Sequence, residues 1–344
     1  MFIIDLHAIT PQSTHDSSFE NGYWQVLESF IYYAKEPNYQ AFIPLGQLRR
    51  MGKAVRMGIG TALPLLERNA KPNGIIIGTA NGGLEDCIKF LNQIVEYEEG
   101  VLTPTNFVQS TPNALAGQIA LLNENKGYNM THVNGSLAFE SALLDAELYF
   151  DEHNTAQSLL LGAIEEVSNY NYNIDSLGGR FKEECVSNEN LIDSKTAGSY
   201  CGEGSVQFIV SNKADHSLAE IVDTAQTSFL KQSELQSFIS EFLLRNKLTY
   251  SNIDLVMVGK NGDVRTDDWY DLFLTPFLDT SRVYFKKSVG EYRTVSAFAV
   301  YLATKILNGS CTHVIENKVV SSPKIVLIYN HFDAIRHSLI LIRK

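Results

Sequence analysis

The chain of 344 residues has little cysteine, few positive charges and no long apolar run. Its four cysteines form no Cys-x-x-Cys pair, which argues against a disulfide framework or a zinc site and suits reduced thiols. Lys and Arg total 28 against 39 Asp and Glu, a formal net charge of -11, which disfavours nucleic acid and anionic membranes as partners. No apolar run reaches the ~18 residues of a membrane span. We therefore expect a cytoplasmic protein that binds neither nucleic acid nor membrane.

Short apolar segments of strand length alternate with amphipathic helical patterns along the chain. This alternation predicts an α/β fold in which helices cover sheets on both faces. The predicted strands are residues 2–6, 74–78, 158–161, 206–210, 255–258, 324–328 and 338–342.

A weak internal repeat relates the two halves of the chain. In each half, a helix leads into a strand and then into a glycine turn, and a long helix rich in small residues follows later. The first copy consists of 65–69, 74–78, 81–83 and the helix 136–150. The second copy consists of 243–247, 254–259, 261–263 and the helix 294–307. The repeat predicts two similar α/β halves, residues 1–203 and 204–344.

Six further motifs follow one another in a fixed order: an opening strand with a proline turn, a glycine-rich segment, a Pro-Asn helix, a glycine-bounded strand leading to Ser136, and two glycine-glutamate turns. They are residues 1–12, 78–85, 110–120, 127–136, 162–165 and 200–205. In this order they resemble the β-ketoacyl synthase family of the thiolase-like superfamily. The resemblance implies a thiolase-like fold with five layers, αβαβα.

The same resemblance places unusual residues at the family's reactive positions. Ser136 falls where the family has its nucleophilic cysteine, Asn261 and Glu291 fall on its two histidines, and Lys286 matches its lysine. A thiol ionises far more readily than a serine hydroxyl, so Ser136 would need a base.

The region that would form the oxyanion hole or the substrate tunnel is also altered. It contains Gly135, Asn330 and Phe332. The loop 330–334 keeps the family's phenylalanine but lacks the glycines that let backbone amides approach an oxyanion. No G-x-G-x-x-G motif or calcium-loop spacing is present, so we expect no cofactor and no metal.

A preserved scaffold with an altered site predicts a protein of fatty acid or polyketide biosynthesis that lacks standard condensing activity. On this interpretation it is a chain-length-factor-like partner of an active ketosynthase. The alternative is an unconventional acyltransferase in which Ser136 accepts the acyl group and Glu291, Lys286 or His132 assists proton transfer. A third class is a module that binds an acyl group or a carrier protein without turnover. Whether the chain is an enzyme stays open at this point.

Two segments resemble one branch of the family in particular. Residues 139–146 and 290–294 are similar to the divergent synthase-like proteins of aryl polyene and flexirubin-type pigment pathways. His132, on the strand before Ser136, is more typical of a core or interface histidine than of a base. Glu165 and Glu203 follow glycine turns, where we expect them to bind backbone amides.

The resemblance also implies partners. The strand at 131–133 pairs, in the resembled fold, with the same strand of a second subunit, and an unpaired apolar edge favours such pairing. We expect a homodimer or a heterodimer with an active ketosynthase, and an acyl carrier protein as a further partner. A basic cluster near the N-terminal end is either a docking patch or a solvated helix face; it contains Arg49, Arg50, Lys53 and Arg56.

Overall fold

The computed structural model describes residues 1–185, 187–317 and 322–344. All seven predicted strands are present. Most are rich in Ile, Val and Leu and buried on both faces, as strands between two helical layers are, whereas β1 includes Asp5 and is only partly buried. The strands are β1 (Phe2–Ile9), β2 (Ile31–Tyr32), β3 (Gly74–Gly78), β4 (Tyr128–His132), β5 (Ser158–Glu165), β6 (Cys201–Gly202), β7 (Gly204–Ser211), β8 (Ala219–Ser228), β9 (Leu255–Val258), β10 (Ser281–Tyr284), β11 (Ile325–Phe332) and β12 (Arg336–Arg343).

The two long helices that the repeat predicted are also present, beginning two residues later than expected. The helices are α1 (Leu45–Leu48), α2 (Lys53–Arg68), α3 (Leu84–Glu96), α4 (Pro104–Gln109), α5 (Ala114–Leu122), α6 (Ala138–Glu152), α7 (Asn169–Leu177), α8 (Leu235–Arg245), α9 (Asp268–Leu274), α10 (Lys286–Val289) and α11 (Ser296–Leu307).

Ten of the described strands form one mixed sheet, in the order β10-β9-β11-β12-β8-β1-β7-β5-β3-β4. Its two halves repeat the same topology. From the outer edge inward, three parallel strands are followed by two antiparallel ones, as β4-β3-β5-β7-β1 on one side and β10-β9-β11-β12-β8 on the other. β1 and β8 join the halves through only two residue pairs.

This order bears on where one half ends. β7 completes the first set of five strands, which favours a division between β7 and β8. The boundary between residues 203 and 204 stays a prediction, and the strand order offers a boundary between residues 211 and 219 as the alternative.

Three apolar clusters show that the layers alternate as αβαβα. α6 and α11 pack together in the middle, between the inner faces of the two half-sheets. α2 and α5 cover the outer face of the first half-sheet, and α8 and α9 cover that of the second. Successive residues of a strand alternate between clusters, so Ile76 faces the central helices while Ile75 and Ile77 face α2 and α5. The five-layer prediction is confirmed.

The central helices start at close backbone contacts. At the end of β3, a Cβ on Gly78 would lie 2.7 Å from the carbonyl carbon and oxygen of Ala138, the first residue of α6. At β6, a Cβ on Gly202 would lie 2.0 Å from the Val289 carbonyl oxygen. Glycine at these positions lets the strands support the turns before α6 and α11, where the candidate site residues lie. Of the helices described, none is long and apolar enough to cross a membrane.

Candidate functional site

Ser136 lies in the turn that joins β4 to α6. Gly135 adopts a left-handed conformation with φ of +55°, which a glycine tolerates, and the 3₁₀ turn Gly135–Leu137 leads directly into α6. The Ser136 residue is only 3% exposed. Its Oγ atom has no hydrogen-bond partner among the described residues. The turn therefore holds a buried hydroxyl at the start of a helix of 15 residues, with its hydrogen-bonding capacity free.

Arg336, the first residue of β12, covers this turn. Its Nη1 atom donates a hydrogen bond of 3.1 Å to the carbonyl oxygen of Asn134. A Cβ on Gly135 would lie 2.1 Å from that same Nη1 atom, so the guanidinium lies directly against the glycine. No carboxylate of the described chain pairs with Arg336. Its charge is therefore free beside the turn that contains Ser136.

Ser136 and Arg336 line an open pocket with a volume of about 470 Å³. Phe229 and Ile335 contribute apolar surface to it. The full lining is Asn134, Ser136, Leu137, Arg180, Ser228, Phe229, Arg293, Phe332, Asp333, Ile335 and Arg336. This volume lies within the range of small-molecule sites.

Lys286, Glu291 and Asn261 form a separate buried cluster. The Lys286 side chain is fully buried, and its Nζ atom lies 2.7 Å from Oε2 of Glu291. Asn261 donates from Nδ2 to the same carboxylate oxygen at 2.7 Å. Lys286 also donates to the His331 carbonyl oxygen at 3.2 Å and to the Tyr270 hydroxyl at 3.3 Å. Glu291 therefore binds both Lys286 and Asn261, the residues that the resemblance groups with it.

Burial controls the ionisation of this cluster. It raises the pKa of Glu291, and the neighbouring Lys286 ammonium opposes that shift. Burial also raises the pKa of Tyr270 well above its usual value, and it lowers the pKa of His331 well below 6.5, assisted by Lys286. The ring of His331 stacks on Tyr270 with centroids 4.1 Å apart, and its Nε2 atom lies 3.2 Å from the Thr266 carbonyl oxygen. A neutral imidazole that donates there has a structural role.

Asn261 and Glu291 line a narrow cavity of about 40 Å³. A water molecule needs roughly 10–15 Å³ by this measure, so the cavity has room for about three waters. Its wall is largely polar and includes Glu165, Asp175 and Tyr292, whose hydroxyl has no hydrogen-bond partner among the described residues. The space does not fit an acyl chain.

Four side chains line both spaces and stand between them, and we call them the arginine wall: Arg180, Arg293, Phe332 and Asp333.

The arginine wall is held by ion pairs. Arg293 donates to both carboxylate oxygens of Asp175 at 2.9 and 2.8 Å. Arg180 bonds to the same Asp175 at 3.0 Å and to Asp333 at 2.7 Å. The Phe332 ring lies between the two guanidinium groups, 5.6 Å from Arg180 Cζ and 5.3 Å from Arg293 Cζ.

The structure thus brings only some of the predicted site residues together. Ser136 lines the open pocket, with Gly135 directly before it, whereas Asn261 and Glu291 line the narrow cavity beside Lys286. Phe332 lies between the two spaces. Asn330 is buried, and its Oδ1 atom accepts a hydrogen bond of 3.3 Å from the Tyr270 hydroxyl.

The other residues noted in the sequence have ordinary partners. His132 lies 2.8 Å from Asp145, which also accepts a hydrogen bond from Tyr128. Glu165 accepts hydrogen bonds from the amides of residues 80 and 81, and Glu203 accepts them from the amides of residues 34 and 167, as expected.

The basic cluster is half neutralised. Lys53 pairs with Glu203 and Arg56 pairs with Glu36, while Arg49 and Arg50 have no ion pair within the described residues. In the described part of the chain, no group of three or more His, Cys, Asp or Glu is placed to hold a metal.

Sequence reasoning missed the arginine wall and Arg336. Arg293 lay within a motif that was noted, directly after Glu291, yet its partner Asp175 is 118 residues away. Arg336 carries no motif and is defined only by the contact of β12 with the turn after β4. The composition gave no hint of them, because an excess of acidic residues makes a concentration of arginines at one pocket unexpected.

Comparison with known proteins agrees with this architecture. Residues 23–177 match the family model of the β-ketoacyl synthase N-terminal domain. No curated protein matches the chain.

Solved structures match over the whole length. The ishigamide ketosynthase/chain length factor gives a TM-score of 0.78 at 14% identity, covering 100% of this chain and 98% of that one. A β-ketoacyl synthase from Burkholderia phymatum STM815 gives 0.80 at 15% identity, again covering 100% and 98%. The structure of a type II PKS acyl-carrier protein in complex with its ketosynthase bound to the hexaketide gives 0.75 at 12% identity, covering 99% and 98%. Residues 23–177 are therefore similar to a β-ketoacyl synthase N-terminal domain, and the chain as a whole has the fold of these solved structures.

Proposed function

We propose that this protein is a chain-length-factor-like partner of an active ketosynthase in fatty acid or polyketide-type biosynthesis, and that it lacks standard condensing activity. The observation that carries the proposal is the engagement of Asn261 and Glu291 with Lys286 at a cavity of about 40 Å³. Condensation needs an activated nucleophile and groups that stabilise the decarboxylating extender in one shared space. Here the arginine wall stands between that cavity and Ser136.

The free edge of β4 supports a partner subunit. β4 is the last strand of the sheet, so one side of its backbone is unpaired in the described chain. Exposed apolar side chains flank this edge, on β4, directly after it and on the neighbouring α5 and α6: Leu121, Met130, Val133, Leu144 and Leu148. An unpaired strand edge with such flanks favours pairing with a second strand. Two structural neighbours are a ketosynthase/chain length factor and an acyl-carrier protein in complex with its ketosynthase, which agrees with a ketosynthase and a carrier protein as partners.

The test is co-expression with an authentic ketosynthase of the same pathway, followed by condensation assays on carrier-protein substrates. We expect the two proteins to co-purify and activity to appear in the pair but not in this protein alone. Ser136→Ala should leave the activity of the pair unchanged, whereas replacing the partner's nucleophile should abolish it. Robust malonyl-dependent condensation by this protein alone would overturn the proposal.

One observation favours the alternative acyltransferase. The Ser136 hydroxyl has no partner and lines a pocket large enough for an acyl group. Against it, no hydrogen bond in the described chain joins Ser136 to Glu291 or Lys286, which bind each other. Intact mass measured after incubation with acyl donors decides the matter. An adduct on the natural protein that Ser136→Ala lacks would establish a serine nucleophile, and no adduct would leave the partner role.

A further inference from the structure

The pocket beside Ser136 concentrates positive charge in an acidic protein. Three arginines and one aspartate line it. Arg180 and Arg293 share Asp175, and Arg180 also pairs with Asp333, so these four groups nearly balance. Arg336 is left over, because its only recorded partner is the neutral Asn134 carbonyl. With Asp175 included, the three arginines exceed the two aspartates by one positive charge, although the chain as a whole has a net charge of -11.

The start of α6 adds to this potential. α6 has 15 residues, and the N-terminal end of such a helix carries a partial positive charge. Glu140, the acidic residue of the first turn, is fully buried and accepts a hydrogen bond from Ser338 rather than facing the pocket. Burial raises the pKa of Glu140, and hydrogen bonds from Ser296 and Ser338 oppose that shift. Because Glu140 does not line the pocket, the positive end of the helix remains available to a ligand there.

Two groups at this place have unused hydrogen-bonding capacity. The Ser136 hydroxyl is buried and unpartnered, and it lines the pocket. The Arg336 guanidinium lies against Gly135, the residue directly before it, and carries more N–H donors than its one bond to Asn134 uses. A planar guanidinium matches a carboxylate or phosphate through two parallel hydrogen bonds.

We propose that this pocket binds an anionic oxygen group, a carboxylate or a phosphate, between the Arg336 guanidinium and the Ser136 hydroxyl at the start of α6. The site takes the charged end of its ligand at Ser136, and the apolar surface of Phe229, Phe332 and Ile335 contacts the remainder. This site goes beyond the proposed function, because a noncatalytic subunit and an acyl-transferring enzyme can each contain it.

The test is isothermal titration of the full chain with three probes: malonate, inorganic phosphate and uncharged malonamide. We expect at least one of the two anions to bind, with an affinity that falls as salt is added, and malonamide not to bind. Arg336→Gln should weaken anion binding by at least about tenfold, as loss of a charge-assisted hydrogen bond does. Ser136→Ala should weaken it by about two- to tenfold.

The matched control is Arg49→Gln, which removes a surface arginine that also lacks an ion pair in the described chain. It should leave binding unchanged. Arg336→Lys keeps the positive charge but lacks the planar guanidinium. This variant should bind the anion more tightly than Arg336→Gln does, which shows that the weaker binding of Arg336→Gln comes from the lost charge and not from misfolding. The tighter anion identifies the ligand as a carboxylate or a phosphate. No binding of either anion, equal binding of malonamide, or an equal loss in Arg49→Gln would overturn the site. Since no ketosynthase is present in this titration, its failure would leave the partner proposal untouched.

Discussion

Removing the Glu291 carboxylate is expected to destabilise the fold by about 3–5 kcal/mol, the usual cost of leaving one member of a buried ion pair alone. Lys286 is fully buried, and Glu291 at 2.7 Å is its one charged partner among the described residues. Without that carboxylate, the ammonium keeps only the His331 carbonyl at 3.2 Å and the Tyr270 hydroxyl at 3.3 Å. Two longer bonds to neutral oxygens cannot replace a close opposite charge in a buried site.

The measurement is urea unfolding of Glu291→Ala, followed by circular dichroism. A matched control lies next to it in sequence: Lys287 pairs with Glu316 at 3.2 Å near the surface, and Glu316→Ala should cost no more than about 1 kcal/mol. The double variant Lys286→Met with Glu291→Leu should be more stable than Glu291→Ala, because no buried charge remains without a partner. A loss below about 1 kcal/mol in Glu291→Ala, or a double variant less stable than the single one, would refute this account of the cluster.

Three further predictions concern packing, pairing and pH. Gly78→Ala should lower the free energy of unfolding by about 1–3 kcal/mol, because the added Cβ would press on the backbone of Ala138. Its control is Gly117→Ala, where a Cβ meets nothing within 4 Å and should stabilise α5 by about 0.5–1 kcal/mol. Equal shifts in the melting temperatures of the two variants would contradict the contact at Gly78. The proposed pairing through the edge strand predicts that Met130→Lys lowers the mass measured by light scattering from that of a dimer toward that of a monomer, and an unchanged mass would contradict pairing at β4. Burial raises the pKa of Glu166 from 4.5 to about 8, so between these values the folded state binds more protons than the unfolded state and stability falls as pH rises. Glu166→Gln should remove up to about 1.4 kcal/mol per pH unit of that decline, which urea unfolding at several pH values would detect; identical slopes in both proteins would show that Glu166 titrates normally.

Most of the strands that could be predicted are those buried on both faces; β1, which is partly buried, was predicted from its apolar residues. β3 and β9 are nearly continuous Ile, Val and Leu, and only such a segment suits a strand between two helical layers. β8 was missed because its alternation of polar and apolar residues is that of a half-buried strand. β10 was missed because it contributes four residues, two of them polar.

The sequence predicted which residues belong to the candidate site, but not which cavity each of them lines. The order of motifs predicts that Ser136, Asn261 and Glu291 fall on reactive positions of the resembled family, but a motif contains no information on which cavity each side chain lines. That division depends on the pairing of Asp175 with Arg293, between residues far apart in the chain. Contacts of this kind follow from the packing of the two halves, which no local pattern encodes.

The arginine wall has a consequence for redesign. Introducing cysteine at position 136 and histidine at positions 261 and 291 would place a thiol at the open pocket and two imidazoles at the narrow cavity. To join the two spaces, Arg180, Arg293, Asp175 and Asp333 would also have to change, and replacing these paired residues one at a time leaves unmatched charges. Because the four residues depend on one another, their substitutions are not additive, and a shared reaction space requires that they be exchanged together.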